Sequence, residues 1–261
     1  MTRWPRPLVA AVDLLNRRGK SIGVRLVKYT RKSGDFVHPK HLVDAPWHDW
    51  YVEHLRASDV VLDVGCANGA HTVKAAARAR QVVGMDYDVG QLAVARRAAL
   101  RVRLDNVRLF AWDLTRGFPF ATGTFDAALF LDVIEHLEPR LAVLREIRRV
   151  LKPGGRLLVS GPNSETSWRR RLRAAGMFAY SDPDHKVEYT RDEFLAELRA
   201  GGFEAGPVMP VVYDTPWAGV IDAVGGVSLG AYAALSRWKR AMAVARPEES
   251  TGFRVVARVA R

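Results

Sequence analysis

The stretch Val61-Leu62-Asp63-Val64-Gly65-Cys66-Ala67-Asn68-Gly69 decides the fold. Residues 60–64 are an apolar, β-branched run that stops at Gly65, as a strand buried on both faces should. Small residues follow, and helical apolar spacing takes over across 69–80. A strand that passes through a small-residue turn into a helix lets backbone approach a ligand closely.

The same alternation continues outward. Residues 81–85 read as a second strand ending at Asp86, and 89–103 as a helix with several arginines on its outer face. Residues 107–112 and 125–131 read as third and fourth strands. Residues 138–151 read as a helix ended by Lys152-Pro153-Gly154-Gly155, and 156–160 as a fifth strand. Thr190 with Glu193 spells a capping box for a helix over 194–200, closed by Gly201-Gly202. Strand-like segments follow at 208–213 and 253–259. Strands separated by helices predict a parallel sheet covered on both faces, a doubly wound α/β fold. Segments 1–55, about 162–188 and about 214–250 stand outside this alternation. Two regions are therefore expected: an N-terminal helical lid or substrate segment over 1–55, and a core over 56–261 with cap insertions at the other two places. In an open α/β sheet the ligand lies beyond the carboxyl ends of the strands, where such insertions emerge.

Composition narrows the chemistry. The 261 residues hold 40 basic and 28 acidic side chains, for a net charge of +12, with 48% hydrophobic residues. That is the balance of a folded protein rather than a disordered one. A single cysteine, Cys66, excludes a disulfide framework, a multi-cysteine zinc site and an iron–sulfur cluster. The basic start, Met1-Thr2-Arg3-Trp4-Pro5-Arg6-Pro7, is followed by an apolar stretch broken at Asp13 and Asn16-Arg17-Arg18, so no secretory signal is read. Residues 216–235 contain Asp222 and four glycines, too weak for a spanning helix. The expected location is cytoplasmic, or peripheral to a membrane. Basic excess concentrates in residues 1–58, with 11 basic against 5 acidic side chains. It points to an anionic partner, or to a solvated basic face in a chain where Arg outnumbers Lys 32 to 8.

Asp86 ends the second strand about 20 residues after the turn, where a carboxylate can accept hydrogen bonds from ribose hydroxyls. The turn and Asp86 together read as a nucleoside-cofactor signature. A dinucleotide site uses glycines and a helix N-terminus to hold a pyrophosphate. Here the corresponding positions are Gly65, Ala67 and Ala70, and Asp63 stands just before the turn. A carboxylate there suits a cofactor bearing an ammonium or sulfonium group. The alternatives are structural: Asp63 capping the next helix, Asp86 as N-cap for the helix from Val89, and Cys66 as a small residue in a tight turn.

On these motifs the chain resembles class I S-adenosylmethionine-dependent methyltransferases, and is similar to the ubiquinone and menaquinone biosynthesis methyltransferase group. The resemblance covers roughly 59–204. Its motifs are Val61 to Gly69, Val83-Gly84-Met85-Asp86, Trp112-Asp113-Leu114, Phe125-Asp126-Ala127, Leu131-Asp132-Val133-Ile134-Glu135-His136-Leu137 and Arg149-Val150-Leu151-Lys152-Pro153-Gly154-Gly155. It implies a Rossmann-like, mostly parallel sheet with an antiparallel last strand and helical lid insertions. It implies S-adenosyl-L-methionine as cofactor, with Asp63, Gly65, Cys66, Ala67 and Gly69 on the methionine side and Asp86 with Tyr87 at the ribose. Trp112, Asp113 and Leu114 would form the adenine edge, unless Asp113 is an ordinary turn residue, and Asp132 would lie beside the methyl group. Ala67 is a departure, because many relatives have a second glycine there.

Methyl transfer to a hydroxyl needs alignment and a base, and histidine suits neutral pH. His136, after the fourth strand, and His185, in Asp182-Pro183-Asp184-His185-Lys186, are the candidate bases; either could instead be structural. No metal site is expected, since the polar pair His38 and His41 has no clear third ligand. The missing Asn/Asp-Pro-Pro-aromatic turn argues against amino-methylation of bases and glutamine amides, and the lone turn cysteine against cytosine C5 chemistry. The expected reaction is methylation of a small-molecule or lipid-linked acceptor, at a hydroxyl oxygen, with nitrogen and carbon as the alternative acceptor atoms. Apolar residues interleaved with arginines and lysines in the N-terminal segment fit a membrane-surface contact, a hydrophobic substrate wall, or lid helices that simply pack on the core. Competing readings are an RNA-acting methyltransferase, for which no aromatic stacking motif is visible, and a cofactor-binding protein without catalysis.

Overall fold

A computed structural model describes residues 4–33, 38–43 and 45–260. Helix α1 (Arg6–Tyr29) and the short helices α2 (Lys40–Val43) and α3 (Ala45–His48) come first. Strand β1 (Val60–Val64) leads into α4 (Ala70–Ala76), and β2 (Gln81–Asp86) into α5 (Val89–Arg101). Strands β3 (Val107–Ala111) and β4 (Phe125–Phe130) follow, then α6 (Arg140–Val150), which runs directly into β5 (Leu151–Pro162). Beyond them lie α7 (Ser167–Ala174), α8 (Arg191–Ala200) and β6 (Phe203–Pro210). Helices α9 (Ala218–Val227) and α10 (Leu229–Ala245) precede β7 (Gly252–Val259).

The chain divides into two compact units. One holds Asp49–Pro162, Asp184–Met209 and Phe253–Arg261, and contains the sheet, ordered β3-β2-β1-β4-β5-β7-β6. Strands β1 to β5 pair in parallel, and the last strands run antiparallel. Because β1 is buried at every residue, its alternating side chains feed two cores. Leu62 and Val64 pack with Val83, Met85 and Phe130 against α6 and α8, through Leu144, Ile147 and Phe194. Val61 packs on the other face with Leu129, Ala75, Tyr51 and Leu55. Asp63 shares the face of Val61 by alternation. Parallel register aligns Asp63 with Gly84, Asp86 with Ala111 and Phe130 with Val159, so these carboxyl ends share one edge.

The second unit holds Met1–His48, Asn163–Pro183 and Pro210–Gly252. Its α1 and α9 meet backbone to backbone: a Cβ on Gly19 would lie 2.4 Å from the Gly219 carbonyl carbon, and one on Gly23 would lie 2.4 Å from the Asp222 carbonyl oxygen. Asn16 Oδ1 accepts from the Gly219 amide at 2.5 Å, and His38 Nε2 lies 3.2 Å from Asp222 Oδ2. Val9 and Val12 pack with Trp168 and Leu172 of α7.

Several element limits differ from the sequence reading. Helix α4 stops at Ala76 rather than Arg80, because the amides of Arg80 and Gln81 turn to the Asp59 carbonyl. Helix α5 ends at Arg101, and Arg103 sits at φ +56°. Helix α6 starts two residues late, after Pro139, and Lys152-Pro153-Gly154-Gly155 falls within β5, where the pairing with β4 shifts register. Strand β6 begins at Phe203, not Val208, since Gly202 at φ +85° reverses the chain at once; it ends at Pro210, which lacks a ladder donor. Tyr213 makes only an isolated bridge with Ser250.

Candidate active site

The turn after β1 is held by strand β2. The amides of Gly65 and Cys66 both donate to the Met85 carbonyl at 2.9 Å, and that of Gly69 donates to the Cys66 carbonyl. Gly65 and Gly69 have φ of +75° and +74°, where a side chain is strained. A Cβ on Gly69 would also lie 2.6 Å from that of Ala95, so α5 packs flush on the turn. Ala67 holds φ +42° without being glycine. Its amide donates to Asp86 Oδ2 at 2.8 Å, while Asp86 Oδ1 accepts from Asp88 at 2.9 Å. Asp86 is thus a brace as well as an acid at the strand tip. The N-cap of α5 is Asp88, which accepts from Gln91.

Asp63 is buried and accepts from the Thr72 hydroxyl at 2.6 Å. Burial pushes its carboxyl up to about 6, opposed by the Thr72 hydrogen bond and helped by the Asp86 charge. Burial also raises the Cys66 thiol, with Asp63 and Asp86 adding to it, so no thiolate forms there. Among the described residues neither Asp63 nor Asp86 is in an ion pair.

Farther along the edge, Tyr87 is exposed, Leu114 is buried, and Trp112 Nε1 donates to the Gly117 carbonyl at 2.6 Å. Asp113 caps the short 3-10 turn Leu114–Arg116: its Oδ1 accepts from the Thr115 amide at 2.9 Å and hydroxyl at 2.7 Å. The Thr115 amide, then its hydroxyl, hold this exposed carboxyl below its ordinary value. Asp132 is exposed at φ +55°, its amide donating to Ser160 Oγ, which in turn donates to Asp132 Oδ1 at 2.7 Å.

Val133 links this edge to the histidines. A Cβ on Gly65 would lie 2.7 Å from Val133 Cγ2, so the chain leaving β4 closes over the first turn. A short 3-10 helix, Ile134–His136, then presents His136 to solvent. The amide of Lys186 donates to the Glu135 carbonyl at 2.7 Å, bringing His185 alongside. The rings of His136 and His185 are 4.7 Å apart at 78°. His185 Nδ1 lies 2.9 Å from Glu188 Oε1, and its Nε2 lies 4.0 Å from Glu135 Oε1. The Glu188 side chain is fully buried, and its carboxylate lies within hydrogen-bond distance of His185 Nδ1, with His185 Nε2 on the side of Glu135.

Sequence reasoning named His136 and His185 but missed Glu135 and Glu188, which are ordinary charges in the sequence and gain meaning only when buried. Glu135, His136 and His185 each offer one ligand atom within 4.8 Å of the others, a metal-sized cluster the sequence reading did not anticipate. It also missed Arg254 on β7, whose guanidinium burial pulls down to about 10 against the opposing charges of Asp132 and Asp49. Of the His38–His41 pair, His38 Nε2 lies against Asp222 Oδ2, and the side chain of His41 lies outside the described residues.

Residues 62–159 match the family described as a methyltransferase domain. Over these residues the chain is similar to a methyltransferase domain. The matched stretch spans β1 to β5 and holds both turn acids and His136. A relative in Amycolatopsis mediterranei, 27-O-demethylrifamycin SV methyltransferase, is 31% identical over 157 residues, covering 58% of this chain and 56% of the relative. The ubiquinone biosynthesis O-methyltransferase of Pseudomonas paraeruginosa is 33% identical over 128 residues, 48% of this chain and 54% of that one. The chain therefore spans little more than half the length of these relatives. Among solved structures, a SAM-dependent methyltransferase from Aquifex aeolicus superposes with TM-score 0.56 at 18% identity, over 85% of this chain and 96% of that one. The [4+2]-cyclase SpnF gives 0.59 at 23% identity, over 81% of each. The fold around the methyltransferase domain is Rossmann-like.

S-adenosylmethionine is the cofactor that goes with this domain. The residues present fit it: a buried and a rim carboxylate, neither in an ion pair, flank a glycine turn, a donor set for a cation and against a pyrophosphate.

Proposed function

We propose that the protein transfers a methyl group from S-adenosylmethionine to a hydroxyl oxygen of a small-molecule or lipid-linked acceptor. The observation that carries this reading is the His185–Glu188 pair, set beside the loop that leaves the methyltransferase domain's fourth strand. Asp63, Gly65, Cys66, Ala67 and Gly69 would cradle the methionine part. Asp86 and Tyr87 would face the ribose, and Trp112, Asp113 and Leu114 the adenine. Asp132 would stand beside the reacting centre.

When bound, S-adenosylmethionine supplies an electrophilic methyl carbon on a positively charged sulfur. His185 Nε2 would accept the proton of the acceptor's hydroxyl during the transfer. Glu188 holds the ring in the productive tautomer and offsets the imidazolium charge. His136 packs edge-on to His185 and fixes the ring's other face. The two O-methyltransferase relatives support an oxygen nucleophile.

The fold alone does not select this chemistry, since SpnF shares it as a cyclase. Cofactor binding without methyl transfer is therefore the second reading. Turnover assays with labelled S-adenosylmethionine and a panel of hydroxylated acceptors separate the two. Methyl-ether products that disappear in His185→Asn support transfer; bound cofactor with no product across phenolic, sugar and lipid hydroxyls supports the second reading.

A further inference from the structure

Helix α1 carries a face that its own packing does not use. Leu8, Leu15 and Ile22 recur at seven-residue intervals, nearly in line along the helix, and are 47%, 49% and 47% exposed. The buried side is a different one, made by Val9, Val12, Asn16, Gly19, Gly23 and Val27. Arg18 and Arg25 are exposed three residues beyond Leu15 and Ile22, on the flank of the apolar line, with Arg6 and Lys20 also in solvent. The only acid in the helix, Asp13, is buried and bonded to Arg17 at 2.7 Å.

Two features choose the occupant. A helix seam with a second copy needs apolar residues at both the first and fourth heptad positions; here the fourth positions are Ala11, Arg18 and Arg25. Arginines beside an apolar line instead suit an interface where the line enters the acyl boundary and guanidinium groups reach anionic headgroups. No described helix is long and apolar enough to cross a bilayer, so α1 would lie in the surface plane. We propose that the exposed face of α1 docks the protein on anionic membrane surfaces. This does not rest on the methyl-transfer reading.

The test is flotation of the full chain with phosphatidylcholine vesicles, with and without phosphatidylglycerol. Arg18→Glu/Arg25→Glu and Leu15→Ser/Ile22→Ser change only exposed positions, and circular dichroism confirms that each folds. The expected result is binding to the anionic vesicles only, reduced on the order of tenfold or more by each pair of substitutions and weakened by salt. Three results overturn the proposal: no flotation with anionic vesicles at low salt; flotation indifferent to the leucine–isoleucine pair; or a dimer in ultracentrifugation that the serine variants abolish, which assigns the face to a second copy.

Discussion

The Ala67 amide donates to Asp86 Oδ2 at 2.8 Å, so the acid at the end of β2 holds the turn at the end of β1 in shape. Its other oxygen, Oδ1, accepts from the Asp88 amide at 2.9 Å, so the whole carboxylate organises backbone at the edge where the proposed reading puts the ribose. Removing it should damage folding and binding together. Asp86→Ala is expected to lower stability by about 1–3 kcal/mol through the two amides it strands, and to weaken S-adenosylmethionine binding. Denaturant melts and calorimetry on the same preparation check both; loss of only one would separate the roles.

Ala67 occupies a left-handed conformation at φ +42°. Replacing it with glycine relieves that strain while adding freedom to the unfolded chain, so Ala67→Gly should alter stability by less than about 1 kcal/mol. Ala67→Val, β-branched in the same conformation, should cost about 1–3 kcal/mol. Thermal unfolding of the two variants reads the difference.

Asp63 sets a pH dependence. Its folded carboxyl sits at about 6, above its unfolded value, so the folded state binds the extra proton. Stability should fall as pH rises from about 4 to about 6 and then level off. Asp63→Asn keeps an acceptor for Thr72 without the buried charge. It should be more stable than the natural protein above pH ~7, by on the order of 2 kcal/mol, and equal to it at pH ~4. Urea titrations across that range show whether the two curves converge at low pH.

The His185–Glu188 pair predicts a kinetic split. His185→Asn should lower kcat by ~10²–10⁴ with little change in KM for cofactor. Glu188→Gln, which removes the carboxylate beside Nδ1, should also lower kcat. Added Zn²⁺ should inhibit, because Glu135, His136 and His185 would capture it and block Nε2. Steady-state kinetics on the three preparations decide it.

The α1–α9 contact is the least forgiving packing in the second unit. Gly19→Leu places a side chain into the backbone of Gly219 and should destabilise by several kcal/mol, whereas Leu14→Ala, at an exposed position, should change little. Differential scanning calorimetry distinguishes them.

Local signals carried much of this structure in the sequence. A β-branched run ending in Gly65, the acid at Asp86 and the Thr190–Glu193 capping box each depend on neighbours a few residues away, and each forms; the Thr190 amide donates to Glu193 Oε2 at 2.8 Å. What the sequence hid is non-local. Gly19 and Gly219 look like ordinary helix glycines until two helices two hundred residues apart touch. Glu188 becomes a partner for the His185 ring only because folding buries it beside that ring. Strand β6 was misplaced because its apolar content peaks late, while the glycine pair before it sets where it starts.

The central claim is that the β1 turn, edged by Asp63 and Asp86, accepts a cationic adenosine cofactor. Isothermal calorimetry of S-adenosylmethionine and of NAD against the natural protein and Asp63→Asn, at about pH 5 and about pH 7.5, tests it most directly. The account predicts that S-adenosylmethionine binds, more tightly at the higher pH, that Asp63→Asn weakens it and removes the pH effect, and that NAD does not bind. Tight NAD binding, or S-adenosylmethionine affinity unmoved by Asp63→Asn at either pH, would contradict it.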